Sequence, residues 1–201
     1  VMLSALAAMA LQFPQHASAG AHRPPPTAAE REKPLPGQLS VWEPPFTRPP
    51  SVLPATGRHV LLRIGEDGPI LLESRRGVLV CETSHPPTWY FPRADVNEAY
   101  LRPLGGQTQC EFKGAAVYYD VLASPDSREA TPVVPQGAWS YLSTSGANKA
   151  FENHVAFYLR PPLVATVDGE RARPQEGDFY GGWITPDVVG PFKGGPGTRF
   201  W

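Results

Sequence analysis

The sequence predicts a mainly β protein, built as an antiparallel barrel or sandwich. Short runs of β-branched and aromatic residues are separated by turn signals about every eight to twelve residues. Turn-forming residues are abundant, with 25 Pro and 19 Gly among 201 residues. No long helical period lies between the apolar runs, which disfavours a βαβ architecture. We therefore expect a compact antiparallel β domain with short helical turns.

The N-terminal part, residues 1–57, is predicted to be an irregular, proline-rich arm. Eleven of the 25 prolines lie before residue 57, and residues 21–36 show no apolar periodicity. Such a segment buries too little apolar surface to offset the entropy lost on ordering, so we expect it to be extended and disordered. Residues 58–175 are expected to form the folded domain. Residues 176–201 are rich in Gly, Pro and aromatic residues and are expected to pack on that domain.

The start of the chain leaves two alternatives for its location. Leu3–Leu11 is a short apolar run, and Ala17–Ala19 resembles the small-residue cleavage site of a signal peptide. However, no Lys or Arg precedes the run, whereas secretory signals carry a positive segment there. The run is also too short to span a bilayer. We expect a cytoplasmic protein, with export through a signal peptide at residues 2–19 as the alternative.

Two hairpins and several further short strands are predicted along the domain. Glu66–Gly68 supplies a tight turn between the runs His59–Ile64 and Pro69–Glu73. Asp168–Gly169 is a favoured two-residue turn for a last hairpin. The other strands are predicted at Val78–Thr83, Trp89–Phe91, Thr108–Phe112, Ala115–Leu122, Val133–Pro135, Trp139–Leu142 and His154–Leu159, with helical turns at Arg93–Asn97 and Lys149–Glu152.

Composition and charge exclude several classes of function. Charged residues make up 18% of the chain and the formal net charge is −1, so no basic field is available to hold nucleic acid or an anionic membrane surface. The two cysteines, Cys81 and Cys110, have neither a CxxC spacing nor the neighbouring ligands typical of zinc. We therefore predict free thiols, no metal, no cofactor, and neither a nucleic-acid nor a membrane partner.

The segment Glu82–Pro92 is the first candidate for a functional site. Glu82 and His85 follow a predicted strand and begin a loop stiffened by prolines, a place where functional groups are commonly displayed. A carboxylate near the imidazole would orient it and raise its pKa, so the pair could act as general acid and base or hold a polar ligand. The structural alternative is equally open: His85 caps the loop, and Glu82 bonds to the backbone or to an Arg.

A second candidate segment is Cys110–Gly114. In a regular strand Cys110 and Phe112 face one side and Lys113 the other. Gly114 is a candidate bulge that would turn the amine of Lys113 inward. Cys110 is expected to be a buried, inert thiol unless a positive neighbour lowers its pKa.

Two arginines and four aromatic residues complete the candidate site. Arg75 and Arg76 lie at the turn before the strand that ends at Glu82, where a guanidinium could clamp a carboxylate or phosphate. The alternative is that they pair with a local acid, Glu73 or Glu82. The aromatic residues are suited to walls of a pocket for a flat ligand and equally suited to filling a small β core; they are Tyr90, Tyr118, Trp139 and Tyr141.

These motifs together resemble the DUF427 family. The matching residues are, in order, Ser74–Arg76, Glu82–Pro87, Tyr90–Pro92, Asp95–Val96, Cys110–Gly114, Tyr118 and Trp139–Tyr141. The tail, Gly181–Thr185 with Gly190–Thr198, resembles the C-terminal extension of long family members. The resemblance implies a compact β domain similar to the β-tent, or Mss4-like, topology. Some labels of the family mention nucleotidyltransferase, but this sequence has no triphosphate site or paired-carboxylate magnesium site.

The function predicted from these residues is that of a small-molecule-binding β domain with a pocket built from both segments. Whether it also catalyses a reaction stays open; the candidate catalytic residues are Glu82, His85 and Lys113. The ligand-binding candidates are Arg75, Arg76, Tyr90, Cys110, Tyr118, Trp139 and Tyr141. Two alternatives remain: a protein-interaction module that uses the proline-rich arm, and a redox protein that uses Cys110.

Overall fold

The computed structural model describes residues 22–126 and 129–201. The signal-peptide alternative at residues 2–19 lies outside them. Within these ranges the strands are β1 (Leu39–Ser40), β2 (Ser51–Pro54), β3 (Val60–Ile64), β4 (Ile70–Ser74), β5 (Val78–Cys81), β6 (Thr88–Tyr90), β7 (Leu101–Pro103), β8 (Thr108–Cys110), β9 (Gly114–Val121), β10 (Val134–Tyr141), β11 (Val155–Phe157), β12 (Leu163–Val167), β13 (Glu170–Arg171), β14 (Arg173–Pro174), β15 (Trp183–Ile184) and β16 (Val188–Val189). Short 3₁₀ helices lie at Ala28–Glu30, Arg93–Asp95, Glu98–Tyr100 and Gly146–Phe151. None of the helices in these ranges has the length and apolar character to cross a membrane.

Most of the strands pair into antiparallel sheets. One sheet has four strands in the order β13-β12-β3-β4, and a second has three in the order β2-β5-β6. A five-stranded sheet runs β11-β10-β9-β7, with β8 also paired to β9. The prediction of a mainly β, antiparallel fold with short helical turns is confirmed.

The three-stranded and five-stranded sheets are joined by a bridge just beyond β6. Phe91 and Val155 exchange two backbone hydrogen bonds, each 2.8 Å long, which link the end of β6 to β11. Backbone bonding therefore runs from β2 across to β8, and strands distant in sequence share one surface. The two candidate segments lie on either side of this bridge, because Glu82 follows β5 and Cys110 ends β8.

Side-chain alternation divides this surface into two faces. On β6, Trp89 belongs to the main hydrophobic core, whereas Tyr90 belongs to a second, largely aromatic cluster. On β10, Ala138 and Trp139 divide in the same way. Successive residues of a strand point to opposite sides, so one face packs on the four-stranded sheet and the other presents aromatic rings to the candidate site.

Both predicted hairpins are confirmed. Strands β3 and β4 pair around the turn that contains Glu66–Gly68. Strands β12 and β13 pair around Asp168–Gly169, whose φ angles are +53° and +86°. Two consecutive positive φ angles match the twist of a two-residue hairpin, and the Asp-Gly sequence adopts them at low cost.

The folded body begins earlier than the predicted boundary at residue 58. Strand β2 pairs with β5, and β1 pairs in parallel with β16. Val41 and Phe46 are buried in a small cluster with Cys81 and Val188. The prediction missed these segments because their apolar residues are too few and too interrupted by proline to show a period. Their burial depends on partners far along the chain.

The C-terminal extension packs on the domain and also contributes a residue, Trp183, to its main hydrophobic core. Trp183 is fully buried, with ring centroids 6.1 Å from Trp89 and 5.7 Å from Phe91. Its indole N–H donates to the carbonyl of Phe157 at 2.8 Å. The Arg58 guanidinium also donates to the carboxylate of Asp187 at 2.8 Å. The extension therefore holds a fixed position beside the candidate site.

Candidate functional site

A cavity of about 400 Å³ opens on the aromatic face of the joined sheets. Both candidate segments contribute to its lining, and so do residues from the two ends of the described chain. Of the predicted site residues, the structure brings eight together here: Glu82, His85, Tyr90, Cys110, Lys113, Tyr118, Trp139 and Tyr141. A volume of this size falls within the range of small-molecule sites.

Arg75 and Arg76, by contrast, are not among the cavity-lining residues. Arg75 donates to the backbone carbonyl of Gly57 at 3.2 Å. Arg76 forms an ion pair with Asp95, so its role is structural, but its partner is neither of the two acids, Glu73 and Glu82, expected from the sequence. Closeness in sequence to Glu82 did not bring them to the cavity, because the β4–β5 turn lies at the other end of β5 from Glu82.

Packed aromatic rings form the floor of the cavity. The Tyr90 ring stacks on Phe151 with centroids 4.5 Å apart, and the Trp139 ring lies 4.5 Å from Tyr158. The indole N–H of Trp139 donates to the Tyr90 hydroxyl at 3.2 Å. Burial raises the pKa of Tyr90 and of Tyr141. Both phenols therefore stay neutral, and the floor offers rings and hydroxyls without charge.

Cys110 and Tyr118 lie along one side of this floor. The hydroxyls of Tyr118 and Thr108 are 2.6 Å apart. The Cys110 thiol lies close enough to Tyr141 to add to the rise in its pKa, which is caused mainly by burial. Both cysteines are free thiols, as predicted, and Cys81 is buried away from the cavity.

The β8–β9 hairpin places Lys113 at the cavity. The predicted strand Thr108–Phe112 ends at Cys110, which pairs with Gly114 across a turn of three residues. Gly114 has a φ of +96°, a left-handed conformation that glycine adopts most readily after such a turn. Lys113 is thus a turn residue and not a strand residue, so the predicted alternation of faces does not apply to it.

His85 is buried beside the cavity and is held by Gln175 from beyond β14. The amide nitrogen of Gln175 donates to the Lys193 carbonyl at 2.7 Å, and its oxygen accepts from the backbone N–H of Gly182 at 3.2 Å. These two contacts fix the orientation of the amide. The same nitrogen therefore donates to His85 Nδ1, 3.0 Å away.

This contact sets the tautomer of His85. Because Nδ1 accepts a hydrogen bond, the proton of the neutral ring is on Nε2. Burial, together with the nearby cations Lys193 and Lys113, lowers the pKa of His85 to about 3. The expected rise in this pKa from Glu82 is therefore wrong, since burial and two ammonium groups outweigh one carboxylate. In the described part of the chain, no protein group accepts from Nε2.

Charged groups surround His85 at the cavity rim. Lys113 Nζ lies 3.9 Å from a carboxylate oxygen of Glu82, and both side chains are largely buried. Lys193 lies over the Tyr180 ring, with Nζ 5.3 Å from the centroid. Arg48 pairs with Glu111 at 3.1 Å, in a more exposed position. The rim therefore carries two ammonium groups close to a single buried carboxylate.

Sequence reasoning missed Arg48, Gln175, Tyr180 and Lys193. The Tyr180 ring packs edge-on against His85 with centroids 4.5 Å apart. Lys193 lies in a Gly/Pro-rich segment. This composition indicates that the segment can pack closely against another part of the chain, but it does not indicate which part. No local pattern could have found these residues, because the hydrogen bond from Gln175 to His85 spans 90 residues.

Among residues 22–126 and 129–201, no three His, Cys, Asp or Glu side chains are grouped so that they could hold a metal ion.

A family model described as a domain of unknown function, DUF427, matches residues 52–172. The chain belongs to the DUF427 family. No curated protein matches it.

The DUF427 match divides the cavity lining into two parts. The aromatic floor, Glu82, His85 and Lys113 lie within the matched residues. Arg48 precedes them, whereas Tyr180 and Lys193 follow them. In this DUF427 protein the family domain thus supplies the floor, and the flanking segments supply much of the rim.

Proposed function

We propose that this protein is a small-molecule-binding domain whose cavity takes a ligand with a flat, unsaturated body. The observation that carries the proposal is the neutral aromatic floor of a cavity of about 400 Å³. Rings with polar tips bind flat bodies through their faces and orient them through hydroxyl groups. A cavity left by imperfect core packing is expected to be smaller and wholly apolar, since protein interiors are close-packed.

The protonation state of His85 supports a binding role of the cavity more directly than a catalytic one. A general base works best with a pKa near the working pH, whereas the pKa of His85 is lowered to about 3. His85 is thus suited to donate a hydrogen bond from Nε2 rather than to accept a proton. A catalytic role for Glu82 or Lys113, and partner binding by the arm, stay predictions.

Direct titration with a neutral, flat probe tests the proposal. We expect 2-naphthamide to bind the purified protein with one site by isothermal titration calorimetry. Trp139→Leu should weaken this binding by about tenfold or more, because a stacking wall is lost. Trp42→Leu is the matched control, since Trp42 packs against Trp201 outside the cavity.

Native mass spectrometry of the protein as purified supplies the second readout. A retained small molecule that is lost in Trp139→Leu and kept in Trp42→Leu would support the proposal. Absence of any retained molecule, together with no binding of the probe, would contradict it. Melting temperatures of both variants show whether an effect on binding is separate from unfolding.

Two further proposals concern the topology of the fold and the cellular location of the protein. The β-tent, or Mss4-like, topology implied by the family resemblance is supported by the small antiparallel sheets, and an experimental structure superposed on such domains tests it. A cytoplasmic location, with export as the alternative, stays a prediction. Cell fractionation of the tagged full-length protein tests it.

A further inference from the structure

We propose that the ligand is a monoanion, a flat unsaturated acid whose carboxylate is held at the cavity rim by Lys113, Lys193 and the Nε2–H of His85. This inference rests on the proposed function and names the ligand class of the same site. Three donors of hydrogen bonds converge there from three separate segments: the β8–β9 turn, the C-terminal extension and the loop after β5.

The first observation is that the two ammonium groups share one buried carboxylate. Lys113 Nζ is 3.9 Å from Glu82, which is beyond hydrogen-bond length. Lys193 is buried, and its ammonium donates to the backbone oxygen of Trp201. Despite the charge of Glu82, desolvation still holds the pKa of Lys193 below its usual value. A buried cation whose partners do not compensate its desolvation is stabilised when an anion binds beside it.

The second observation is the free donor on His85. Gln175 occupies Nδ1 and so leaves the proton on Nε2. Within residues 22–126 and 129–201, no side chain or carbonyl accepts from that atom, and it is not one of the fully buried polar atoms without a partner, so it is accessible from the cavity that His85 lines. A carboxylate oxygen in the cavity would accept a hydrogen bond from it.

The third observation is the charge balance of the rim. Arg48 and Glu111 neutralise one another and are both mostly exposed. Among the side chains, Lys113, Lys193 and Glu82 then leave one net positive charge in the more buried part of the rim, because His85 is neutral. Lys193 Nζ also donates to the backbone oxygen of Trp201, so part of its hydrogen-bonding capacity is already used. One net positive charge matches a carboxylate, whereas a phosphate ester close to neutral pH carries nearly two negative charges.

Residues beyond the family match, Gln175 and the C-terminal extension, have a specific role in this proposal. Lys193 brings the second ammonium group, and Gln175 fixes the donor state of His85. Both residues lie beyond the part of the chain that matches the family model. We therefore expect the preference for an anion to depend on the extension, while the flat body of the ligand depends on the family domain.

Three probes with one shared ring system test the proposal. The wild-type protein is titrated by calorimetry at neutral pH with 2-naphthoate, 2-naphthamide and 2-naphthyl phosphate. We expect 2-naphthoate to bind at least about tenfold more tightly than 2-naphthamide, as one or two charge-assisted hydrogen bonds imply. The phosphate ester should bind more weakly than the carboxylate.

Variants of Lys113 and Lys193 test whether these two side chains hold the carboxylate of the ligand. Lys193→Met and Lys113→Met should each reduce the affinity for 2-naphthoate by about tenfold and leave that for 2-naphthamide unchanged. Lys193→Arg should restore much of the loss. Lys149→Met removes an exposed lysine outside the cavity and serves as the matched control. If Lys193→Met does not fold, Lys113→Met carries the test.

The outcomes separate this inference from the function on which it rests. Equal affinities of wild type for the carboxylate and the amide would overturn the inference and keep the binding function. Tighter binding of the phosphate ester would overturn the assignment of a single charge. Lack of binding by all three probes would count against the proposed function itself.

Discussion

The amide nitrogen of Gln175 donates to Nδ1 of His85 over 3.0 Å, and this contact holds the imidazole in the Nε2–H tautomer. Gln175 is buried and its amide is fixed at both ends by Gly182 and Lys193. The state of His85 in the family domain is therefore set by Gln175, which follows the family match, and by the extension residues that fix its amide. A histidine that the sequence marks as a titrating group acts here as a fixed hydrogen-bond donor.

The first prediction is that Gln175→Glu reverses the tautomer of His85. A carboxylate accepts but does not donate, so the proton moves to Nδ1, and the added negative charge raises the pKa of His85. Long-range ¹H–¹⁵N NMR spectra of the imidazole distinguish the two tautomers. Gln107→Glu adds the same charge at an exposed position and should leave the spectrum of His85 unchanged. An Nε2–H pattern that persists in Gln175→Glu would show that the contact does not set the tautomer.

The second prediction concerns stability in acid. The pKa of His85 is lowered from 6.5 to about 3 in the folded protein, so the unfolded chain binds a proton between these values and the folded chain does not. The stabilisation is present above pH 6.5 and is lost as the pH falls towards about 3. The slope contributed by one such proton is about 1.4 kcal/mol per pH unit.

His85→Asn removes the titrating group and keeps an acceptor for Gln175. We expect urea unfolding between pH 4 and 6 to depend less on pH in this variant than in wild type, by up to about one proton. His22→Asn removes an exposed histidine and should leave the slope of wild type unchanged. Identical slopes in His85→Asn and wild type would mean that His85 titrates normally in the folded state.

The third prediction is that the extension stabilises the whole domain through Trp183. Because this side chain is fully buried between Trp89 and Phe91, Trp183→Ala should lower the free energy of unfolding by about 3–5 kcal/mol. Trp183→Phe keeps most of the packing but leaves the carbonyl of Phe157 without its donor, which should cost about 1–3 kcal/mol. Urea denaturation measures both, and a loss below about 1 kcal/mol in the Ala variant would contradict a core role.

Local patterns in the sequence predicted turns and candidate aromatic residues, but they could not predict which side chains from distant segments reach the cavity. The turn at Asp168–Gly169 follows from turn chemistry. Tyr90 and Trp139 were candidates because aromatic residues are concentrated there, although the sequence left open whether they line a pocket or fill the core. Lys193 is placed at the rim by tertiary packing of an irregular segment, which has no period to detect. The direction of the pKa shift of His85 was wrong for the same reason, because it depends on that packing.

The two arginines illustrate the opposite error. Arg76 is close in sequence to Glu82, yet it pairs with Asp95 at the far end of β5. Adjacency along the chain suggested a shared site, but the first and last residues of a four-residue strand lie about 10 Å apart. The cations that do reach the cavity are Arg48 from the N-terminal segment, Lys113 from a turn and Lys193 from the extension.

The fourth prediction separates the two cysteines by reactivity. Burial raises the pKa of Cys81 to about 12, so almost no thiolate is present near neutral pH. Cys110 is partly exposed and lines the cavity. We expect iodoacetamide to add one label to the folded protein, on Cys110, and none to Cys110→Ser. Saturating 2-naphthamide should slow the labelling of wild type. Labelling of Cys81 at a similar rate, detected by peptide mass spectrometry, would contradict this assignment.

The fifth prediction uses the close approach of the extension to the cavity wall. A Cβ atom added at Gly181 would lie 2.8 Å from Trp139 Cζ3 and 3.2 Å from Tyr158 Cδ1, so both rings must move. Gly181→Ala should therefore weaken the binding of 2-naphthamide by about tenfold, because the stacking wall is displaced. Gly105→Ala is the control, since a Cβ there meets no atom within 4 Å. Calorimetry measures the affinities, and the fluorescence of Trp139, compared with Trp139→Leu, reports the displaced ring. Unchanged affinity with a shifted Trp139 signal would show that the ligand does not rest on this ring, and the cavity floor would then be structural rather than a binding surface.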